Sequence, residues 1–322
     1  MPLPNSFLKK LEESFETTNK LTVKNERFYL TQNYTDQERA NLKRRIQNTH
    51  QRLSYLATRV PATYAVCEDV LGRLAQYDFE FSSLLDLGAG PGTASICAKY
   101  IFPELEKIAL IDQDKDFKIF AESFLKVAHH TQPLYELHDL TKVAKFPPTD
   151  LVVFSYSLNE LSEKDASSTL HKAWLATKKA LVIIEPGTPN AFKGLKKLRQ
   201  ELINYGAHIL TPCPHENACP LSDNDWCHFS VRLERTSLHK YIKDATLSYE
   251  DEKFSYLIAV KGPQKTISLP RIIKKPRKRP GHVIFDLCTE NGLQQETFSK
   301  KDKALYKDAQ KLKWGDCLTG EK

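Results

Sequence analysis

The chain has no apolar run of about 18 residues, so no transmembrane helix is expected. Its first residues, Met1-Pro-Leu-Pro-Asn-Ser-Phe-Leu-Lys-Lys10, lack the apolar core of a secretory signal. Glu12, Glu13 and Glu16 argue against a transit peptide, which is poor in acids. No internal repeat is visible, so a repeat architecture is not expected. No glycine loop ends in Gly-Lys-Ser/Thr, which disfavours a P-loop nucleoside triphosphatase. The address these absences leave is a bacterial cytoplasm, or the mitochondrion for a eukaryotic source despite the missing transit signal. A membrane partner is not expected.

What is present suits a folded, water-facing protein. The 322 residues are 41% hydrophobic and 27% charged, enough for two domains or one domain with elaborations. The seven cysteines are odd in number and unevenly spaced. In a reducing compartment they read as free thiols or ligands, not disulfides. The net charge is +7, and Arg271, Lys274, Lys275, Arg277, Lys278 and Arg279 form a short basic run. Such a run neutralises phosphates or is simply solvated surface.

Residues 35–78 read as helical. Thr35-Asp-Gln-Glu38 has capping-box form, and Leu42, Ile46, Leu53 and Leu56 recur near helical spacing. Pro61 is expected to end one helix and open another. A packing module is favoured here, although Arg52 and Arg59 could touch RNA. From Phe81 the pattern changes. Apolar runs at 83–87, 108–111, 134–137, 150–155 and 180–184 alternate with helical stretches at 93–100, 117–128, 162–177 and 191–205. That alternation implies a parallel sheet covered on both faces. Later strands are expected at 229–233, 255–260 and 283–287.

The first strand runs into Asp86-Leu-Gly88-Ala-Gly90-Pro-Gly92, just before a predicted helix. Glycine permits a tight turn and close approach of a ligand to the backbone. The D-x-G-x-G-x-G pattern resembles class I S-adenosylmethionine methyltransferases. Asp112 ends the second strand, where a carboxylate can accept hydrogen bonds from a ribose diol. Asp114 is a rival for that contact. Asp139, beyond the third strand, resembles the residue that contacts the adenine amino group in such enzymes. Asp86, Gly88, Gly90, Gly92, Asp112 and Asp139 are therefore the candidate cofactor residues. After the fourth strand stands Ser155-Tyr-Ser-Leu-Asn-Glu-Leu161, without the D/N/S-P-P-Y/F motif that orients an amine. Tyr156, Asn159 and Glu160 line a substrate pocket or cap the next helix, and no catalytic residue is assigned.

Cys213, Cys219 and Cys227 fall within fifteen residues, spaced C-x5-C-x7-C. Three thiolates make an incomplete metal site, and Cys288 is the best fourth ligand. His215 or His228 could replace a cysteine if the metal is zinc. Cys67 and Cys97 lie on predicted helices and read as buried apolar residues. Spacing alone leaves zinc and iron–sulfur open. The C-x3-C-x2-C signature of radical enzymes is absent.

These motifs join others in order: Arg59-Val-Pro-Ala-Thr-Tyr64, Ser157-Leu-Asn-Glu-Leu161, Ile184-Glu-Pro-Gly-Thr-Pro189 and Pro212-Cys-Pro-His215. Asp225-Trp-Cys-His-Phe229, Asp251-Glu-Lys-Phe-Ser-Tyr256, Pro276-Arg-Lys-Arg279 and Trp314-Gly-Asp316 follow. Together they resemble the methyltransferase-like family associated with the mitochondrial small ribosomal subunit, and its bacterial relatives. The resemblance implies S-adenosyl-L-methionine binding and a [4Fe–4S] cluster on Cys213, Cys219, Cys227 and Cys288. It also implies association with the small ribosomal subunit and its rRNA during assembly. The alternative is a non-catalytic assembly factor that uses cofactor and cluster structurally. The fold expected is α/β, a class I methyltransferase (Rossmann-like) sheet. A helical module would span 1–78, the cofactor domain 79–265 with the cysteine segment 211–229, and a cysteine-tethered basic extension 266–322. A monomer is favoured.

Overall fold

Leu84, Leu85, Asp86 and Leu87 are all buried, as a central strand of a covered sheet requires. The computed structural model describes residues 3–35, 46–129, 133–262 and 269–318. The predicted cap at Thr35–Glu38 and the predicted contact of Leu42 reach outside the described residues. The chain opens with helices α1 (Asn5–Glu13), α2 (Lys20–Thr35) and α3 (Thr49–Leu74). Then β1 (Ser83–Leu87), α4 (Thr93–Ile101), β2 (Lys107–Asp112), α5 (Lys115–His129), β3 (Leu134–Leu137) and β4 (Thr149–Ser155) alternate. They are followed by α6 (Glu163–Ala176), β5 (Thr177–Pro186), α7 (Pro189–Asn204) and β6 (His208–Thr211). Next come β7 (Phe229–Glu234), α8 (Ser237–Lys243) and β8 (Tyr249–Val260). The last stretch holds β9 (Arg271–Ile272), β10 (Arg277–Arg279), β11 (His282–Thr289), β12 (Gly292–Ser299) and α9 (Lys303–Ala309).

Backbone contacts divide the chain into two units, residues 1–143 with 231–252, and residues 144–230 with 253–322. In the first unit the strands lie in the order β3-β2-β1, all parallel, with Asp86 beside Leu110 and Asp112 beside Leu137. Helix α3 packs against α2, α4 and α8. It starts at Asn48, whose side chain accepts from the Gln51 amide at 2.8 Å. Pro61 does not break it: α3 runs unbroken from Thr49 to Leu74. An interior proline loses one backbone bond and crowds the preceding turn, at a cost of about 3 kcal/mol. Burial on nearly every side, from Leu53 to Leu74, outweighs that cost. Arg52 and Arg59, candidates for RNA contact, are instead paired within this unit. Arg52 is buried against Asp114 (3.2 Å) and Asp116 (3.0 Å), and Arg59 meets Glu252 at 2.8 Å.

In the second unit the order is β4-β5-β8-β6, with β8 antiparallel to both neighbours. The orders 3-2-1 and 4-5-8-6, with helices between successive strands, are those of a Rossmann-like class I methyltransferase sheet. The C-terminal stretch is a second sheet, in which β11 pairs with β9, β10 and β12. Val283, Phe285 and Leu287 alternate inward with Ile272, and Tyr306 and Ala309 of α9 complete that small core.

Candidate functional site

The three strand ends of the first unit converge on the glycine loop. Gly88, Gly90 and Gly92 all take positive φ, at 74°, 51° and 76°. The left-handed region explains glycine at each. At Gly92 space is also short, because a Cβ would stand 3.1 Å from Leu110 and 3.2 Å from Ala121. Asp86 is wholly buried and holds the start of α4, accepting from the Ser95 amide (3.1 Å) and hydroxyl (2.7 Å). Burial pushes its pKa up to about 7 despite those bonds. Asp86 therefore shapes the loop from beneath.

Asp112 braces the loop from the side. One oxygen accepts from the Gly90 amide and the other from the Asp114 amide, each at 2.8 Å. Burial raises its pKa. A carboxylate has about four lone-pair sites, so both oxygens keep capacity for a further donor. Asp114 is committed elsewhere, accepting from the Asp116 and Phe117 amides at the start of α5 and pairing with Arg52. Tyr135 of β3 donates to the Gly90 carbonyl at 2.9 Å, a brace the sequence reading missed. Asp139 is half-exposed and folded onto its own turn, accepting from the Thr141 hydroxyl (2.7 Å) and amide (3.0 Å). Those bonds, the hydroxyl's foremost, lower its pKa. The loop and Asp112 form one site, with Asp139 beyond the end of β3.

Within the second unit, Tyr156 has φ 57°, strained for a side-chain-bearing residue, and its amide donates to the Ile184 carbonyl at 2.8 Å. The Asn159 amide N–H donates to Glu185 at 3.2 Å. In the side-chain orientation that satisfies both partners, Asn159 also donates to Glu185 at 2.8 Å and to the Tyr156 carbonyl at 3.3 Å. Neither Asn159 nor Glu160 caps the next helix, because Ser162 does so. Glu185, passed over as a functional candidate, is buried with a pKa of about 8, raised by burial first and then by the Glu160 charge.

Cys213, Cys219, Cys227 and Cys288 all line one partly open cavity, whose space including its mouth is about 620 Å³. The first three come from the loop after β6 and the fourth from β11. Phe192, Leu195, Leu221, Phe229 and Ile273 supply apolar wall. Burial, and then the neighbouring thiols, raise Cys227 well above its usual pKa and push Cys288 up to about 12. A bound cation would reverse that and favour thiolates. Among the described residues, no three His, Cys, Asp or Glu side chains are placed to hold a single metal ion. His215 lines the cavity, with Nε2 3.5 Å from the Cys288 sulfur. His228 joins an aromatic stack instead, 5.0 Å from Trp226 and 4.7 Å from Trp314. Cys67 and Cys97 are buried on α3 and α4, as apolar residues would be.

The basic run is split by the fold. Arg271 is buried and donates to the Pro212 and Gly315 carbonyls and the Thr211 hydroxyl. Lys274 pairs with Asp225 at 2.6 Å and Arg277 with Asp286 at 3.0 Å. Lys278 donates to the Gln310 carbonyl at 2.5 Å. Lys275, Arg277, Lys278 and Arg279 are exposed.

Comparison with known proteins adds three findings. The family profile described as mitochondrial small ribosomal subunit Rsm22 matches residues 49–319. Human ribosome assembly protein METTL17, mitochondrial, is 28% identical over 288 residues, covering 83% of this chain and 62% of that protein. Rsm22-cox11 tandem protein 2, mitochondrial, of Schizosaccharomyces pombe is 24% identical over 325 residues, covering 83% of this chain and 43% of that protein. The chain thus spans less than two thirds of the length of either relative. A solved magnesium protoporphyrin IX methyltransferase from Synechocystis PCC 6803 with bound SAH aligns at a TM-score of 0.43 and 15% identity, over 76% of this chain and 99% of that one.

Proposed function

The chain belongs to the Rsm22 family, and on that premise we propose an S-adenosylmethionine-binding, [4Fe–4S]-bearing, methyltransferase-like protein acting on small-subunit rRNA during ribosome assembly. For a eukaryotic source the proposed compartment is the mitochondrion, and for a bacterial one the cytoplasm. The single observation that carries the reading furthest is the cavity in which four cysteines from distant parts of the chain meet. The donor set fits a cluster. Zinc with four thiolates needs Zn–S distances of about 2.3 Å, hence one tight convergence point. Four cysteines suit an iron–sulfur cluster as well, and the family resemblance, not the spacing, favours the cluster.

S-adenosylmethionine, when bound, supplies a sulfonium methyl for in-line transfer. The chain's part is to seat it. Gly88, Gly90 and Gly92 shape the loop, Asp86 and Tyr135 hold its geometry, and Asp112 offers lone pairs to a diol. Asp139 offers a partly solvated carboxylate beyond the third strand. The cluster's part is structural, with Cys213, Cys219, Cys227 and Cys288 as ligands. Cys288 shares a face of β11 with His282 and Ile284, and Arg279 and Arg277 stand directly across from those two. A cluster on Cys288 would thus fix the sheet that displays the exposed basic groups.

A second reading is a non-catalytic assembly factor that binds rRNA. It is favoured by Asn159, whose amide is taken up by Glu185 and Tyr156 instead of facing a substrate. Two measurements test the proposal. Anaerobic purification should give a broad visible absorption with iron and sulfide, and zinc alone would reject the cluster. Labelled methyl transfer to small-subunit particles is expected from the enzyme. Cofactor binding without transfer to any assembly intermediate would leave the second reading.

A further inference from the structure

Two arginines beside the cysteine cavity are buried, yet among the described residues neither has an acidic partner. Arg199 of α7 is 5% exposed and Arg271 of β9 is 9% exposed. Among the described residues, no carboxylate lies within ion-pair distance of either guanidinium. Arg199 spends its donors on the cysteine loop: Nε on the Cys213 sulfur at 3.3 Å, Nη1 on the Asn217 carbonyl at 3.0 Å, and Nη2 on the His215 carbonyl at 2.6 Å. Arg271 donates to the Pro212 carbonyl at 3.0 Å, the Gly315 carbonyl at 2.8 Å and the Thr211 hydroxyl at 3.1 Å. Every acceptor except the sulfur is a neutral oxygen.

Hydrogen bonds to carbonyls satisfy the donors but leave the charges unbalanced. An unpaired charge taken from water is costly, so buried cations are normally matched by anions. The group within reach that can supply negative charge is the cavity itself. Four thiolates around a dipositive cluster core leave a net dianion, the charge of two guanidiniums with the sign reversed.

We propose that Arg199 and Arg271 are the counter-charges of an anionic metal–thiolate centre, and that Arg199, through its N–H···S bond, positions Cys213 and raises the centre's reduction potential. This inference rests on the cluster reading above. The direction follows from charge. Reduction makes the centre more negative, and an adjacent cation stabilises the reduced form more than the oxidised one. Hydrogen bonds to sulfur act in the same sense. Arg199 is thus a positioning residue. Lys197, two residues earlier on α7, makes a useful control, because it is exposed, pairs with Glu163 at 2.5 Å and lies outside the cavity lining.

The test uses the full chain, purified anaerobically and reconstituted with iron and sulfide. Midpoint potential and the rate of bleaching in air are read for the wild type, Arg199→Gln, Arg199→Lys and Lys197→Gln. Arg199→Gln should take up iron, titrate at lower potential and bleach several-fold faster. Arg199→Lys should recover part of the potential, because charge returns without the planar fork. Lys197→Gln should keep the wild-type potential. Wild-type potential and lifetime in Arg199→Gln would overturn the proposal while leaving the cluster intact. Should that variant fail to fold, Arg199→Lys tests the N–H···S bond by itself, and wild-type potential there would overturn the positioning role of Arg199. A wild-type chain that takes up no iron rejects the cluster reading itself, a result readily told apart from the first.

Discussion

The glycine loop and the cysteine cavity are built on opposite principles. The loop is nearly contiguous, with Asp86 to Ser95 supplying its turn, its floor and the start of its helix. Its requirement is conformational, and glycine is readable wherever φ must be positive. The cavity is assembled from α7, the loop after β6 and the C-terminal sheet. Its requirement is electrostatic and spatial. Nothing in the local sequence around Arg271 announces the partners it will meet.

The largest expected effect falls on the cavity. Cys288→Ser should lose the visible absorption and most bound iron, while Cys317→Ser, outside the cavity lining, should keep both. If Cys288→Ser retains a full complement of iron, the long-range clasp is wrong. Loss of iron should also weaken RNA binding, measured by titration against small-subunit rRNA.

The loop should respond by strain. Gly92→Ala meets both a left-handed backbone and contacts near 3.1 Å, so a loss of about 2–3 kcal/mol is expected. At Gly90 the added Cβ would find its nearest neighbour, Phe117, at 3.9 Å. Gly90→Ala should therefore cost only the backbone term, about 1–2 kcal/mol. Chemical denaturation of the two variants checks the order, and equal losses would remove steric crowding from the account.

A smaller effect concerns pH. Glu185 has a folded pKa of about 8, above its unfolded value of 4.5. Its folded form holds the proton more tightly, so its contribution is fully present below about pH 4.5 and is lost as pH rises through about 8. Glu185→Gln should flatten the fall in melting temperature between pH 5 and pH 8. An unchanged slope would place the burdened carboxyl elsewhere, with Asp86 the next suspect. The smallest effect is ionic. Replacing Lys275 and Arg279 by glutamine should lower the salt dependence of rRNA affinity by a slope of about 1–2, with little change in stability. Arg271→Gln should do the reverse, destabilising the chain without altering that slope.

Much of the α/β pattern was legible because buried parallel strands are short apolar runs ending at glycine or acid. The predicted runs at 83–87 and 134–137 match β1 and β3 to the residue. The four-residue β6 and the polar β12 escaped notice, and β12 is too exposed to show periodicity. The expected break at Pro61 failed because local propensity lost to burial on all sides of α3. Arg271 was grouped with surface lysines for its neighbours in sequence, although its side chain points inward. Glu185 stood unremarked within the Ile184–Pro189 motif, and its enclosure by Asn159 shows only in three dimensions.

By itself the sequence determined the alternation of strands and helices from β1 to α7, the glycine loop and the identity of the four candidate ligands. Those depend on interactions between residues close in the chain, or on side-chain chemistry that position does not alter. The tertiary structure alone decided that the four cysteines share one cavity, that Arg199 and Arg271 are buried beside it, and that Asp114 is committed to Arg52. Burial and charge pairing are properties of neighbours in space, and a chain read along its length does not display them.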